Sequence, residues 1–507
     1  MPPLLEELAK DIDGEIVADE KTISEYSSDA SPFTIRPQVV IYPKTTHDVQ
    51  KIVSFGKIYK IPITPRGRGK GEKGGCLSEG IILDMNRYFD KLGKLTLQEA
   101  KLTVQSGALY KNCVKRLSEW GYVLPFVDHV EDMTIGAMVA THYKSSSSLS
   151  SGGISDWIES LRVILDDGKE YLIDGNVSPY GRLLEIYGGT LACLKEEADI
   201  IFSGHVGVSH QAMGYDVFTT QVSPKMLMDF ILGSEGTLGI ITEITLRLDT
   251  KKEYVEGLAI SLSSLNEISP LIKTILATKP ISFSGFDAKT LTLSSSKTSL
   301  IQSRHKNDVF TLFAVYGGSI SSVSRTITQV TKTLQTYSGN KFTCNENEIK
   351  NYNEILFTQK TDLESYAGEL LKSVSICNDV VFPSDSLSVA IKELQSVCED
   401  VGTIYSTTIN AGTGVIRIET LFDITRKEIS NTLNEMLSQV AHIVKWYRGA
   451  ITYSYGDGII NTPLLPVIYG APLANTLRKI KKVWDPNNIF NPGKKTNIDM
   501  SYLKKHI

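Results

Sequence analysis

The chain has 507 residues, 41% hydrophobic and 22% charged, the make-up of a soluble globular protein too long for one ordinary core. Its 53 basic and 57 acidic residues leave a net charge of −4 at pH 7, and no basic stripe points to nucleic acid. No apolar run reaches the ~18 residues of a membrane-spanning helix, which leaves peripheral attachment to a membrane open.

The first ten residues, Met1 to Lys10, lack a charged segment followed by an apolar one, so no secretory leader is expected. Six cysteines (Cys76, Cys113, Cys193, Cys344, Cys377 and Cys398) are scattered without a CxxC pair. Iron–sulfur clusters and structural zinc need closely spaced thiolates, so neither is expected within the chain. Free thiols in a reducing, cytoplasmic setting are favoured over a disulfide framework.

Strand and helix signals alternate from residue 38 to 250. Val39 to Tyr42 reads as a short apolar strand, and Asp48, Val49, Ile52 and Val53 then recur at helical spacing. A strand at Ile61 to Thr64 runs into Pro65-Arg66-Gly67-Arg68-Gly69-Lys70-Gly71-Glu72-Lys73-Gly74-Gly75, ahead of a second strand at Gly80 to Asp84. Five glycines in nine residues leave backbone N–H groups uncovered and permit positive φ. Such a loop can wrap a diphosphate, with Arg66 and Arg68 adding charge; a plain turn is the alternative. No GxGxxG enters a helix here, which excludes the opening of a nicotinamide-type fold.

Ser145 to Gly153 is serine-rich, either a flexible linker or a working loop. Ser160 to Leu165 and Glu170 to Ile173 flank Asp166-Asp167-Gly168, a hairpin signal, and Ile240 to Leu248 reads as a strand closing this half. From about residue 251, strands mix with amphipathic helices; Ile391, Leu394, Val397 and Cys398 mark one helical face.

Four further segments join the glycine loop: Met133-Thr134-Ile135-Gly136-Ala137-Met138-Val139-Ala140, Gly214-Tyr215-Asp216, Leu232 to Glu243 with Gly233-Ser234-Glu235-Gly236-Thr237-Leu238-Gly239 inside it, and Trp484 to Lys494 with Asn491-Pro492-Gly493. In order and spacing the five resemble the FAD-linked oxidases of the vanillyl-alcohol-oxidase superfamily, which carry a PCMH-type FAD-binding domain. The D-lactate dehydrogenase / glycolate oxidase flavoprotein branch is the nearest in pattern. The resemblance runs from about Tyr26 to Lys494.

That resemblance implies an α+β fold: an N-terminal segment at 1–34, a two-subdomain FAD-binding domain at 35–250, a substrate (cap) domain of antiparallel sheet and helices at 251–480, and a return to the FAD domain with the tail at 481–507. It implies FAD contacts from Pro65, Arg66, Gly67, Arg68, Gly69, Lys70, Gly71, Gly74 and Gly75. Thr134, Ile135, Gly136, Thr141, Glu235, Gly236, Gly239, Ile241 and Asn491 complete the implied cofactor set. Members that tether the ring through the first loop carry a histidine there; Lys70 and Gly71 stand in its place, so non-covalent FAD is expected. His129, His142, His205 and His210 are read as ordinary polar or partly buried residues, with a turn at Asp128 to Glu131.

The substrate side departs from the family. Oxidising a 2-hydroxy acid needs a base with a pKa near 7, and histidine is the usual choice. The family supplies it in a Gly-Glu-His-Gly segment, which here reads Ser454-Tyr455-Gly456-Asp457-Gly458 within Ala450 to Gly458. A second family segment with two histidines reads Asn410-Ala411-Gly412-Thr413-Gly414-Val415-Ile416-Arg417. With those ligands gone, no catalytic metal is expected. Tyr455 and Tyr453 (phenols of pKa about 10 unless a cation lowers it), Arg417 (a fork suited to a carboxylate) and Asn410 (a hydrogen-bonding amide) are the catalytic candidates, packing residues being the alternative. Lys360 lies near where relatives place a substrate-binding arginine.

The resemblance therefore implies an FAD-dependent oxidoreductase acting on a small D-lactate- or glycolate-type 2-hydroxy acid, with electrons passed to a quinone or to a separate iron–sulfur polypeptide. Two alternatives stay open: a different alcohol-type substrate, or a flavin-binding electron relay or scaffold without its own substrate oxidation.

Overall fold

The computed structural model describes residues 3–125, 130–204, 206–208, 210–220, 222–294, 299–337, 339–368, 371–426 and 428–507; Asp128, His129 and His205 lie outside them. Among the described residues the strands gather into a four-, a five- and an eight-stranded sheet, with a two-stranded ribbon besides.

The four-stranded sheet runs in the order Glu15–Val17, Val39–Tyr42, Ile81–Asp84, Ile63–Arg66. The first pair is antiparallel and the other two are parallel. A parallel connection needs a crossover, and the helix Thr46–Tyr59 provides one. It starts on a capping box, in which Thr45 and Asp48 each bond the other's backbone, and it stops at Lys60 in a left-handed conformation. Val49, Ile52 and Val53 bury their face against this sheet, as their spacing predicts. The strand after it lies at Ile63–Arg66, two residues later than expected, because Ile61 and Pro62 turn the chain off the helix first.

The five-stranded sheet is antiparallel, in the order Leu92–Thr96, Lys101–Gln105, Ile240–Arg247, Ile158–Ile164, Glu170–Ile173. The hairpin around Gly168, at φ 74°, stands where the Asp-Asp-Gly signal puts it. The serine-rich segment is no open linker: Ser148–Ser151 forms a helical turn, and Ser145 and Ser147 are buried.

The third sheet starts at Tyr254–Leu262 and is antiparallel throughout, as the substrate-domain expectation holds. The helix Leu387–Val401 buries Ile391, Leu394, Val397 and Cys398 on one face. Near the end of the chain, Phe490 bridges in parallel to Ile63 and extends the four-stranded sheet. The indole N–H of Trp484 donates to Thr190 Oγ1 at 3.1 Å, which pins this return segment inside the first half. Among the described residues no helix is long and apolar enough to cross a membrane.

Candidate functional site

A cavity of about 420 Å³ runs from the glycine loop to the eight-stranded sheet. That volume suits a ligand of cofactor or substrate size. On the first side its wall comes from Pro65 to Lys73, Gly75, Thr134, Gly136, Thr141, Glu235, Gly236, Gly239 and Ile241. On the second side stand Asn378, Asp379, Thr408, Asn410, Arg417, Tyr453 and Tyr455. Segments more than 300 residues apart in sequence thus face one space.

The backbone explains why the glycines are there. Gly69 adopts φ 63°, and a Cβ on it would strike the Arg66 guanidinium at 2.3 Å. Gly236 adopts φ 69°, and its Cβ would meet Pro65 Cγ at 2.4 Å. Both need a conformation and a closeness that a side chain forbids. Between Gly67 and Gly75, no backbone N–H donates a hydrogen bond to another described residue. Free N–H groups on a glycine-rich arc that faces a cavity suit an anionic ligand such as a diphosphate. Ser106 Oγ, buried in the same wall, likewise has no partner. The residues present fit FAD.

Several residues expected to contact the cofactor turn their side chains to the frame. Gly74 is off the cavity: a Cβ there would meet Ile459 Cδ1 at 2.8 Å and Phe33 Cδ2 at 3.0 Å. Ile135 faces the core and is fully buried. Asn491 lies behind the wall; its Nδ2 donates to the carbonyls of Gly75 at 2.9 Å and Glu235 at 2.7 Å. Arg66 lines the cavity, but its guanidinium donates to the carbonyls of Tyr26 at 3.1 Å and Ser28 at 2.8 Å. Glu235 accepts from the N–H groups of Asp457 and Gly458, and Lys495 Nζ sits 3.2 Å from it and 3.0 Å from Asp457. Its carboxylate fastens the 456–458 turn to the first domain. Gly214-Tyr215-Asp216 serves the same join: Gly214 N–H donates to Asp457 Oδ2 at 2.7 Å.

On the second side, Arg417 stacks on the Tyr455 ring at 5.1 Å, and Tyr455 lies edge-on to Tyr143 at 5.6 Å. No described acid or acceptor comes within hydrogen-bonding reach of the Arg417 guanidinium, although Tyr455, Asp379, Glu72 and Glu419 together hold its pKa above the usual value against burial. Asn378 Nδ2 donates to Ser375 Oγ at 3.0 Å and Glu419 Oε1 at 2.7 Å, which leaves Asn378 Oδ1 buried and unpaired in the cavity wall. Asn410 Oδ1 is unpaired in the same way. Lys360 does not line the cavity; its ammonium bonds Glu72 at 2.9 Å, and that neighbour lowers the Glu72 pKa against burial. His142 and His210 stack edge to face at 4.6 Å behind Tyr453, and burial drives His142 down to about 3.

Sequence reasoning passed over Glu72, Lys73, Lys144, Asn378, Asp379 and Thr408, all in the wall. A signal existed for one pair: Asn378-Asp379 interrupts the otherwise apolar strand Cys377–Val381. Among the described residues no three His, Cys, Asp or Glu side chains come together closely enough to hold a metal ion.

Residues 37–173 match the FAD binding domain family, and residues 251–495 match the family described as FAD linked oxidases, C-terminal domain. A D-2-hydroxyglutarate dehydrogenase of Pantoea ananatis is 23% identical over 92% of this chain, which spans about half (49%) of that relative's length. The glycolate oxidase subunit GlcD of Bacillus subtilis is 22% identical, with 92% of this chain and 91% of that protein covered. Among solved structures, the 4-ethylphenol oxidase of Gulosibacter chungangensis superposes with a TM-score of 0.73 at 15% identity, covering 98% of this chain and 97% of its own.

Proposed function

The chain belongs to the FAD-linked oxidases, and from that footing we propose that it oxidises a small 2-hydroxy acid of the lactate, glycolate or 2-hydroxyglutarate kind. In this reading residues 35–250 hold FAD without a covalent bond, 251–480 carry the substrate face, and 481–507 close the two together. Bound FAD supplies the acceptor for the substrate's hydride. Electrons then pass to a partner polypeptide or a quinone, in the cytoplasm or at the inner face of its membrane, a setting that six free cysteines favour.

One observation carries the reading: Arg417, a guanidinium in the cavity wall with no described acid in ion-pair range. Arg417 is half-buried, and a guanidinium there without a hydrogen-bonded acid is free to take one from a ligand. Its planar fork matches a carboxylate. Stacking on Tyr455 fixes the plane of that fork, so the acid is held in one orientation. Asn378 Oδ1 and Asn410 Oδ1 can each accept a hydrogen bond from the substrate hydroxyl. Apolar neighbours on the same wall, Ile409, Val415 and Phe357, exclude water from the reacting carbon.

The test is an anaerobic survey of 2-hydroxy acids against the purified yellow protein, without added metal. Bleaching of the flavin by one of them is expected. If none bleaches it and only a reduced protein partner does, the chain is an electron relay. Acid precipitation that leaves flavin on the polypeptide would exclude non-covalent binding.

A further inference from the structure

A 2-hydroxy acid seated on Arg417 must lose its hydroxyl proton as the hydride leaves C2, so a base has to stand beside that oxygen. No described histidine lines the cavity. Glu235 is committed to the 456–458 turn and Lys495. Glu72 is committed to Lys360 and Ser375. Asp132 pairs at 2.7 Å with the exposed Lys111. Burial pushes the Cys76 thiol up to about 12. Asp379 remains.

Its placement is unusual. The ladder between Cys377–Val381 and Val415–Phe422 slips register between Cys377 and Val380, and Asp379 adopts φ 75° there. An irregularity of this kind turns a side chain out of the alternating pattern, and aspartate adopts left-handed backbone at little cost. The surroundings hold it there: the Asp379 carbonyl accepts Tyr453 N–H at 2.9 Å, and Asp379 Oδ2 accepts Ser454 N–H at 2.6 Å. Lys73 Nζ lies 3.7 Å from that same oxygen. No described donor bonds Oδ1, and the residue, 2% exposed, lines the cavity with Arg417.

We propose that Asp379 is the general base of the oxidation, accepting the substrate's hydroxyl proton on Oδ1, with Lys73 as the residue that positions and charges it. The inference rests on the 2-hydroxy-acid reading above. The O–H bond breaks with its proton going to Asp379, and its electron pair forms the second C–O bond of a 2-oxo acid. The C2–H bond breaks with its pair leaving as hydride to the oxidised flavin, the two-electron oxidant. Lys73 faces Asp379 from the glycine loop, Arg417 from the neighbouring strand, and Tyr453 and Tyr455 from the turn. Glu72 and Glu419 stand beyond Arg417, and His210 and Lys144 lie beyond Tyr453. Burial raises the Asp379 pKa to about 6 while Lys73 and Arg417 restrain it, so the carboxylate is ionised at neutral pH yet basic enough to take a proton.

Asp379→Asn keeps the shape and tolerates left-handed backbone, so it should fold and hold flavin. With the 2-hydroxy acid that bleaches the wild type, we expect kcat to fall about 100-fold or more with little change in KM, and the acid limb near pH 6 to vanish. Lys73→Met keeps the base but removes its cation, so the limb should move to higher pH. A second readout needs no turnover: binding oxalate places negative charge beside Asp379, so calorimetry in two buffers should show proton uptake in the wild type and none in Asp379→Asn. An active wild type with Asp379→Asn within threefold of it, or with the limb and the proton uptake unchanged, overturns the proposal. A wild type reduced by no 2-hydroxy acid brings down the function reading first and this inference with it.

Discussion

Around the cavity, His142, Glu235, Asp379, Tyr455 and Asn491 all hold positive φ (51°, 54°, 75°, 61° and 38°). Asn, Asp and His adopt that conformation at little cost, but Glu235 and Tyr455 are strained there by about 1–3 kcal/mol and persist only where neighbours over-determine them. Arg417 owes its orientation to one of them, Tyr455. Arg417→Lys keeps the charge but loses the fork, so we expect KM for the acid to rise about tenfold or more while kcat is largely kept, because the contact is made in ground and transition states alike. Steady-state kinetics read this directly, and a kcat loss without a KM change would contradict it. His142 carries a different cost. Burial first, then Lys144 and Lys495, depress its pKa to about 3, so between about pH 6.5 and 3 the unfolded chain binds a proton that the folded one refuses. Stability therefore falls as pH drops through about 6.5. His142→Asn removes that site and suits φ 51°. Denaturant unfolding at pH 7 and 5.5 should show the wild type losing about 1 kcal/mol more than the variant.

At the scale of elements, the join between the two halves is a buried ionic knot. Lys495, fully buried, reaches Glu235 at 3.2 Å, Asp457 at 3.0 Å and the Ala212 carbonyl at 2.7 Å, so three segments meet on one ammonium. Lys495→Met leaves two carboxylates facing each other without a cation, at a cost of about 3–5 kcal/mol. We expect a matching drop in unfolding free energy together with flavin loss, since the freed 456–458 turn carries Tyr455. Retained flavin and unchanged stability would count against the knot. The same join marks how far the sequence could be read. Helical spacing located Thr46–Tyr59 and Leu387–Val401, and the glycine motifs located the wall, because backbone requirements are written in residue type. The direction of a side chain is not so written. Arg66, Glu235 and Asn491 sit in the right motifs yet spend their polar atoms on the frame. Asp379 enters the site through a register slip, and the polar pair in an apolar strand marks the place without giving the direction of the side chain.

At the scale of the whole molecule, the cavity lies between the glycine loop and the eight-stranded sheet, so a ligand in it ties the two together. On the proposal that FAD binds across that seam, it stabilises the folded chain by RT ln(1 + [FAD]/Kd), about 2.7 kcal/mol when free FAD is a hundredfold above Kd. A chain of 507 residues has a large unfolding entropy, so this shifts the thermal midpoint by only about 2–3 °C. The sign of the effect on cooperativity is the sharper test. Stripped of FAD, the protein keeps the Lys495 knot and the Trp484 anchor but loses the ligand that spans glycine loop and eight-stranded sheet, so its transition should broaden as well as move down. Refilling with FAD should restore both width and midpoint, and Gly236→Ala, which drives a Cβ toward Pro65 beside the cofactor wall, should blunt that recovery. Scanning calorimetry of holo, stripped and refilled protein measures this, and a midpoint indifferent to added FAD would place the cofactor somewhere other than the seam.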